Sequence, residues 1–250
     1  MKSNPRQFLI ASVLVFAMKA HAQIATNSIR AERFDFSEAK PAAMSYLVYQ
    51  PAETPDTRGK RWPLLMFLHG AGERGANLQV VATHGPLSHV KRGTNFPFII
   101  VAPQCPAGQR WDSGALARLL DHVESKYAVD TNRVYLTGLS MGGYGTWEMG
   151  LRYPERFAAI APVCGGVSLI DTYVAWNDHG DKIKRLPIWA FHGAKDDVIP
   201  PDESARAITE LREQGLPRLK LTVYPETGHD SWKQAYADPE LYDWLLGQTR

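Results

Sequence analysis

Six short, largely apolar stretches punctuate the chain: Leu64-Leu65-Met66-Phe67-Leu68, Phe98-Ile99-Ile100-Val101, Val134-Tyr135-Leu136, Phe157 to Val163, Ile188-Trp189-Ala190-Phe191 and Leu219 to Tyr224. Runs of this length without regular polar alternation predict strands covered on both faces, as in a parallel sheet. Between them the spacing turns helical. Ala115 to Tyr127 carries Leu116, Leu119, Leu120, Val123 and Tyr127 on one side, and Asp202 to Gln214 carries Ala205, Ile208 and Leu211. Tyr144 to Leu151 also reads as helical, and Asp238-Pro239 caps and opens a last helix over Glu240 to Leu246. Ahead of the first run, Phe34 to Phe36 and Met44 to Tyr49 predict two strands joined by a Pro-containing turn, an antiparallel edge. Strands alternating with helices give βαβ units, so the fold class is α/β. The segment 51–63, rich in Pro, Thr and charge, reads as a surface loop, and no repeat or low-complexity tract interrupts the pattern.

Composition alters this picture mainly at the N-terminus. Lys2 and Arg6 precede an apolar run from Phe8 to Met18, and Ala20-His21-Ala22 follows. A basic start, an apolar stretch too short to span a bilayer and a small-x-small site form a secretory leader, with cleavage expected after Ala22. The competing readings are an N-terminal anchor or a buried helix, neither of which calls for the Ala-x-Ala ending. Residues 23–250 then make one catalytic domain, exported to the periplasm or beyond and without stable membrane insertion. Loss of residues 1–22 removes Lys2, Arg6 and Lys19 and no acid, leaving 25 basic against 26 acidic residues, so the formal charge falls from +2 to −1. No basic run is left to recognise nucleic acid or anionic lipid. Cys105 and Cys164 are the only cysteines, each just after a predicted strand; export permits a disulfide, two buried thiols are the alternative, and spacing does not decide.

Chemistry concentrates at strand ends. Gly138-Leu139-Ser140-Met141-Gly142-Gly143 lies between the strand at Val134 and the helix from Tyr144, the context a nucleophile elbow needs: small neighbours let the chain turn sharply and leave the Ser140 hydroxyl exposed. Serine requires a base, and the base an orienting carboxylate. His192 ends one strand and leads into Gly193-Ala194-Lys195-Asp196-Asp197, a turn that presents Asp196 above the sheet, with Asp197 as its competitor. His229, in Thr227-Gly228-His229-Asp230-Ser231-Trp232 after the last strand, has the chain order and loop setting of the general base. His192 is expected to brace the acid turn, and His179 to lie at the surface. The Met141 N–H supplies one oxyanion donor. The second is expected from Ala71, in the loop His69-Gly70-Ala71-Gly72-Glu73-Arg74-Gly75, which lacks the Lys-Ser/Thr ending of a phosphate loop. Trp111, Trp176 and Trp232 follow strand ends and are candidates to line the substrate pocket or to pack on its loops. His84 and His89 flank Gly85-Pro86 and share no helical face, so no metal site is expected.

With these motifs in order, the chain resembles the α/β-hydrolase superfamily, and within it bacterial esterases of the phospholipase/carboxylesterase and prolyl-oligopeptidase-like families. Feruloyl esterases and polyhydroxyalkanoate depolymerases are similar around Gly228-His229-Asp230-Ser231-Trp232. The resemblance implies an eight-stranded, mostly parallel sheet with helices on both faces and a minimal lid. It implies a Ser140, Asp196, His229 triad acting on small or polymer-attached esters through an acyl-enzyme, without a cofactor. Dienelactone hydrolases use Cys where this chain has Ser140, and the chain ahead of the catalytic region is too short for a peptidase propeller. A serine peptidase and a non-catalytic module of the same fold are the competing readings.

Overall fold

The computed structural model describes residues 28–35 and 43–250. The leader assigned to residues 1–22 and Phe36 of the first expected strand lie outside the described residues. In chain order the elements are β1 (Ser28–Asp35), β2 (Ala43–Gln50), β3 (Trp62–Leu68), α1 (Gly85–Lys91), β4 (Ile99–Pro103), α2 (Ser113–Lys126), β5 (Val129–Leu139) and α3 (Met141–Arg152). They continue with β6 (Ala159–Val163), α4 (Leu169–Ile183), β7 (Ile188–Gly193), α5 (Asp202–Glu213), β8 (Leu219–Tyr224), α6 (Trp232–Ala237) and α7 (Pro239–Leu246). The strands form one 8-stranded sheet in the order β1-β2-β4-β3-β5-β6-β7-β8. β2 runs antiparallel to both β1 and β4, and every other pairing is parallel. This is the expected α/β-hydrolase sheet with its antiparallel N-terminal edge.

The unbroken apolar runs follow from two core layers, one on each face. Leu64, Met66 and Leu68 of β3 join one layer while Leu65 and Phe67 join the other, and β5 divides Val134 and Leu136 from Tyr135 and Leu139 in the same way. A strand covered on both sides has no position where a polar side chain meets water. α2, α3, α4 and α5 pack on the first layer; α1, α6 and α7 pack on the second.

Helix starts are locally encoded. The Asp112 carboxylate accepts the Ala115 N–H at 2.6 Å to open α2, and Asp238 accepts the Glu240 N–H at 2.9 Å ahead of Pro239 to open α7. The stretch between β6 and β7, with room for only a small lid, holds α4, a 15-residue helix that packs against α3 and α5. Ile170, Tyr173 and Val174 on α4 face solvent, which blurs the apolar stripe that would have revealed it. Its legible sign was the cap: Ser168 Oγ accepts the Asp171 N–H at 3.1 Å and donates to the Asp171 carboxylate at 2.6 Å.

The crossing from β5 into α3 is the tightest point of the fold. A Cβ on Gly142 would stand 2.0 Å from the Leu68 carbonyl oxygen, and one on Gly143 2.5 Å from that of Val163. A Cβ on Gly138 would meet the Gly142 carbonyl oxygen at 2.4 Å. These contacts are to backbone, which cannot step aside as a side chain can. Gly142→Ala is therefore expected to cost about 3 kcal/mol or more of stability, whereas Gly72→Ala, with open space around its Cβ, should stay within about 0.5 kcal/mol of the parent. Urea unfolding of both variants checks the contrast.

Candidate active site

Ser140 sits between β5 and α3 with φ 54° and ψ −115°, a conformation that costs a non-glycine residue of order 1–3 kcal/mol. Its N–H donates to the Val163 carbonyl at 3.0 Å, and its own carbonyl accepts the Tyr144 N–H at 3.1 Å, so the turn is held from both sides. The three crowded glycines around it leave the hydroxyl as the group that projects at the carboxyl edge of the sheet, where ligands of open α/β sheets bind.

Asp196 follows β7 and its side chain is fully enclosed. Oδ1 accepts the N–H groups of Val198 at 3.0 Å and Ile199 at 2.9 Å, while Oδ2 accepts from Nδ1 of His229 at 2.8 Å. Burial pushes the carboxyl up, but the Ile199 N–H, His229 and the Val198 N–H together bring it below the ordinary carboxylate value. Asp196 is thus an anion in the folded protein. Asp197, its competitor in the sequence, is exposed. His192 braces the turn as expected: Nε2 lies 2.9 Å from the Ile199 carbonyl and 3.2 Å from Asp196 Oδ2, two acceptors, so it serves there as a donor. Nδ1 lies 2.8 Å from Ser204 Oγ.

His229 Nε2 lies 2.9 Å from Ser140 Oγ, which completes an unbroken line from Asp196 through His229 to Ser140. With Nδ1–H committed to the carboxylate, Nε2 faces the serine as an acceptor. The His229 loop is drawn in by Gly193, where a Cβ would stand 2.2 Å from the Gly228 carbonyl, and by the Lys195 N–H donating to the Thr227 carbonyl at 2.9 Å. Trp232 meets the His229 ring edge to face at 5.3 Å. His179, by contrast, lies away from this line, half-buried at a break in the helical geometry of α4.

The loop after β3 lies across from Ser140. Ala71 begins a short 3₁₀ turn, Ala71–Glu73, and Met141 begins α3, so neither N–H has a carbonyl one turn behind it to bond. His69 anchors the loop. Its Nδ1 donates to the Gly70 carbonyl at 2.6 Å and its Nε2 accepts the Cys105 N–H at 3.0 Å, which fixes the neutral tautomer. Burial, with a smaller push from Arg74, lowers His69 to about 4 despite the bond to Gly70. Trp111 donates from Nε1 to the His69 carbonyl at 3.1 Å.

Beside Ser140 opens a cavity of about 580 Å³ walled by Trp111, Met141, Tyr144, Val167 and Ile199, with Arg110, Glu148, Ser168 and Asp171 at polar positions. Of the three tryptophans singled out, Trp111 lines it. Trp232 instead stands behind His229, and Trp176 packs from α4 against the core with Lys184 over its ring at 5.1 Å, so neither is among the cavity walls. Tyr144, Glu148 and Asp171 were missed because the turns that bring them to Ser140 lie in α3 and α4. Cys105 and Cys164 are buried free thiols, and burial raises Cys164 to about 12. Among the described residues, no group of three or more His, Cys, Asp or Glu side chains is gathered as a metal site would require, and no helix is long and apolar enough to cross a membrane.

Residues 112–240 match the family described as Phospholipase/Carboxylesterase. The chain belongs to this family. It is similar to a bifunctional acetylxylan esterase/xylanase of Neocallimastix patriciarum, 28% identical over 72% of this chain and 25% of that protein. It is also similar to poly(3-hydroxyalkanoate) depolymerase C of Paucimonas lemoignei, 25% identical over 84% of this chain and 58% of that one. The chain thus spans less than two thirds of the length of both relatives. Among solved structures, a thermostable esterase superposes with a TM-score of 0.72 and 31% identity, covering 89% of this chain and 63% of that one. A ferulic acid esterase, at 21% identity, TM-score 0.61 and coverage of 88% and 96%, shares the fold.

The His69 anchor makes stability depend on pH with a definite sign. The unfolded chain binds a proton at this residue below about 6.5, whereas the folded chain does not until about 4. The unfolded state is therefore favoured as pH falls through that window, and on the order of 3 kcal/mol present at neutral pH is lost across it. Urea unfolding at pH 7.5 and 4.5 should show the parent losing more stability than His69→Gln by an amount of this order.

Proposed function

We propose that the chain is a serine hydrolase of carboxylic esters, with Ser140 as nucleophile, His229 as general base and acid, and Asp196 as the orienting carboxylate. The observation that carries this reading is the line of hydrogen bonds from Asp196 through His229, 2.8 Å and 2.9 Å long, ending on a serine whose backbone is held in a strained turn. An inert surface serine has no need of such a conformation.

In this mechanism Nε2 of His229 takes the hydroxyl proton as Ser140 Oγ bonds to the ester carbonyl carbon. The resulting imidazolium is balanced by Asp196, which stays ionised and keeps Nδ1–H in place. The N–H groups of Ala71 and Met141 receive the oxyanion of the tetrahedral intermediate. Nε2 then returns the proton to the leaving alcohol, and an acyl group is left on Ser140. Water, deprotonated by the same imidazole, releases the acid and regenerates the serine. No step calls for a metal or a cofactor. The cavity beside Ser140, with Trp111 and Tyr144 as aromatic walls and Arg110, Glu148 and Asp171 among its polar ones, suits an ester with both an apolar and a polar part. The names of the relatives, acetylxylan esterase and polyhydroxyalkanoate depolymerase, support esters borne on polymers as well as small ones. The leader sequence ending at Ala22 supports export, where such polymers are met.

The protein lacking residues 1–22 is expected to hydrolyse p-nitrophenyl acetate, and Ser140→Ala to lower kcat by about 10⁴-fold or more with folding intact by circular dichroism. Undiminished turnover in Ser140→Ala would remove the serine from the mechanism. Peptide p-nitroanilides cleaved faster than the matching esters would make the protein a peptidase instead.

A further inference from the structure

The loop that carries Ala71 also holds a carboxylate for which the hydrolysis described above has no use. Glu73 closes the 3₁₀ turn Ala71–Glu73, and its side chain folds back beneath the loop with only 13% of its surface exposed. Oε2 lies 4.0 Å from His69 Nδ1 and 3.3 Å from where a Cβ on Gly70 would stand, so the carboxylate is packed against the peptide unit that presents the Ala71 N–H. Oε1 lies 3.7 Å from Nε2 of His84, the residue just before α1. The His84 ring packs on Trp232 at 5.5 Å, and Trp232 in turn meets His229 at 5.3 Å. The main chain of the same residue is pinned as well: Gln104 Nε2 donates to the Glu73 carbonyl at 3.0 Å and to that of Asn77 at 2.9 Å.

Two costs attach to this placement. An enclosed carboxylate loses hydration that only a partner can replace. A negative charge beside an oxyanion donor also opposes the charge which that donor must stabilise. His84 is the side chain placed to meet this carboxylate, with Nε2 3.7 Å from Oε1, and its ring leads through Trp232 to the loop of the general base, while Oε2 is buried with no hydrogen bond among the described residues. A merely solubilising glutamate would extend into water, where it costs nothing.

We propose that Glu73 is a positioning residue for the oxyanion hole. Packed against the Gly70–Ala71 peptide on one side and facing His84 on the other, it fixes that peptide, and through His84 and Trp232 it holds the donor loop and the His229 loop in one mutual geometry. The proposal rests on the reading of Ser140 as nucleophile. Releasing the clamp misaims a donor that matters most when charge develops, so the loss falls on kcat rather than KM.

The test is steady-state hydrolysis of p-nitrophenyl acetate, with melting temperatures alongside, for Glu73→Ala, Glu73→Gln, His84→Ala and the double variant Glu73→Ala/His84→Ala. Glu73→Ala is expected to lower kcat about 30- to 100-fold with KM within about threefold. Glu73→Gln, which keeps the shape and an acceptor for His84, should recover kcat to within about tenfold of the parent, and His84→Ala should cost little more once Glu73 is gone. The idea is overturned by a folded Glu73→Ala with kcat within twofold of the parent, by a loss carried in KM, or by single effects that multiply in the double variant. Should Glu73→Ala not fold, Glu73→Leu, which fills the space but offers His84 no acceptor, takes its place in the cycle, with the same coupling expected and multiplying effects again overturning the clamp. A parent whose turnover survives Ser140→Ala would instead show that the underlying assignment of the nucleophile had failed.

Discussion

At the end of β5 the chain must pass from strand to helix within one residue, in a space bounded by the backbones of β3 and β6. That crowding governs the rest of the site. It excludes side chains at Gly138, Gly142 and Gly143 and forces Ser140 to φ 54°. It also brings the carbonyls of Leu68 and His69 against α3, so the loop leaving β3 has to pass over the serine. Cys164, at the end of the neighbouring strand, has φ 40° and takes the same kind of bend. Strain of this order persists only because the sheet and α3 over-determine the turn, and its product is a hydroxyl standing clear of its own backbone.

Around that hydroxyl, imidazoles are fixed by what their second nitrogen binds. His229 commits Nδ1–H to Asp196 and offers Nε2 to Ser140. His69 commits Nδ1–H to the Gly70 carbonyl and accepts the Cys105 N–H, so it acts as a neutral brace. His192 donates toward the Ile199 carbonyl and the Asp196 carboxylate. Three residues of one type thus take three functions, and each function is set by the donors and acceptors in reach rather than by the ring itself. The depressed Asp196 carboxyl has the same logic, since two main-chain N–H groups and His229 outweigh the cost of burial.

The parts of this arrangement that could be read in the sequence are those written in contiguous residues. The buried strands appear as apolar runs because both faces are covered. Ser140, Asp196 and His229 each lie in a short Gly-marked turn after such a run, and their order along the chain suffices to group them. What escaped reading depends on which faces meet in space. Trp176 follows β6 as a pocket residue would, yet α4 carries it onto the core, while Tyr144 and Asp171 reach the cavity from helices whose orientation no local pattern reveals. Glu73 and His84 are eleven positions apart on separate elements, and their approach was invisible for the same reason. α4 itself was obscured by apolar residues facing outward, although its Ser168 cap was there to be seen.

If the Asp196 and His229 line makes Ser140 a nucleophile, that reactivity is read in the rate at which a fluorophosphonate modifies the protein, followed by intact mass and by the mass of the peptide containing Ser140. A single adduct is expected on Ser140, formed at least about 10³-fold more slowly in Asp196→Asn, where the imidazole loses the carboxylate that holds its tautomer. An adduct elsewhere, or a rate indifferent to Asp196, would contradict it.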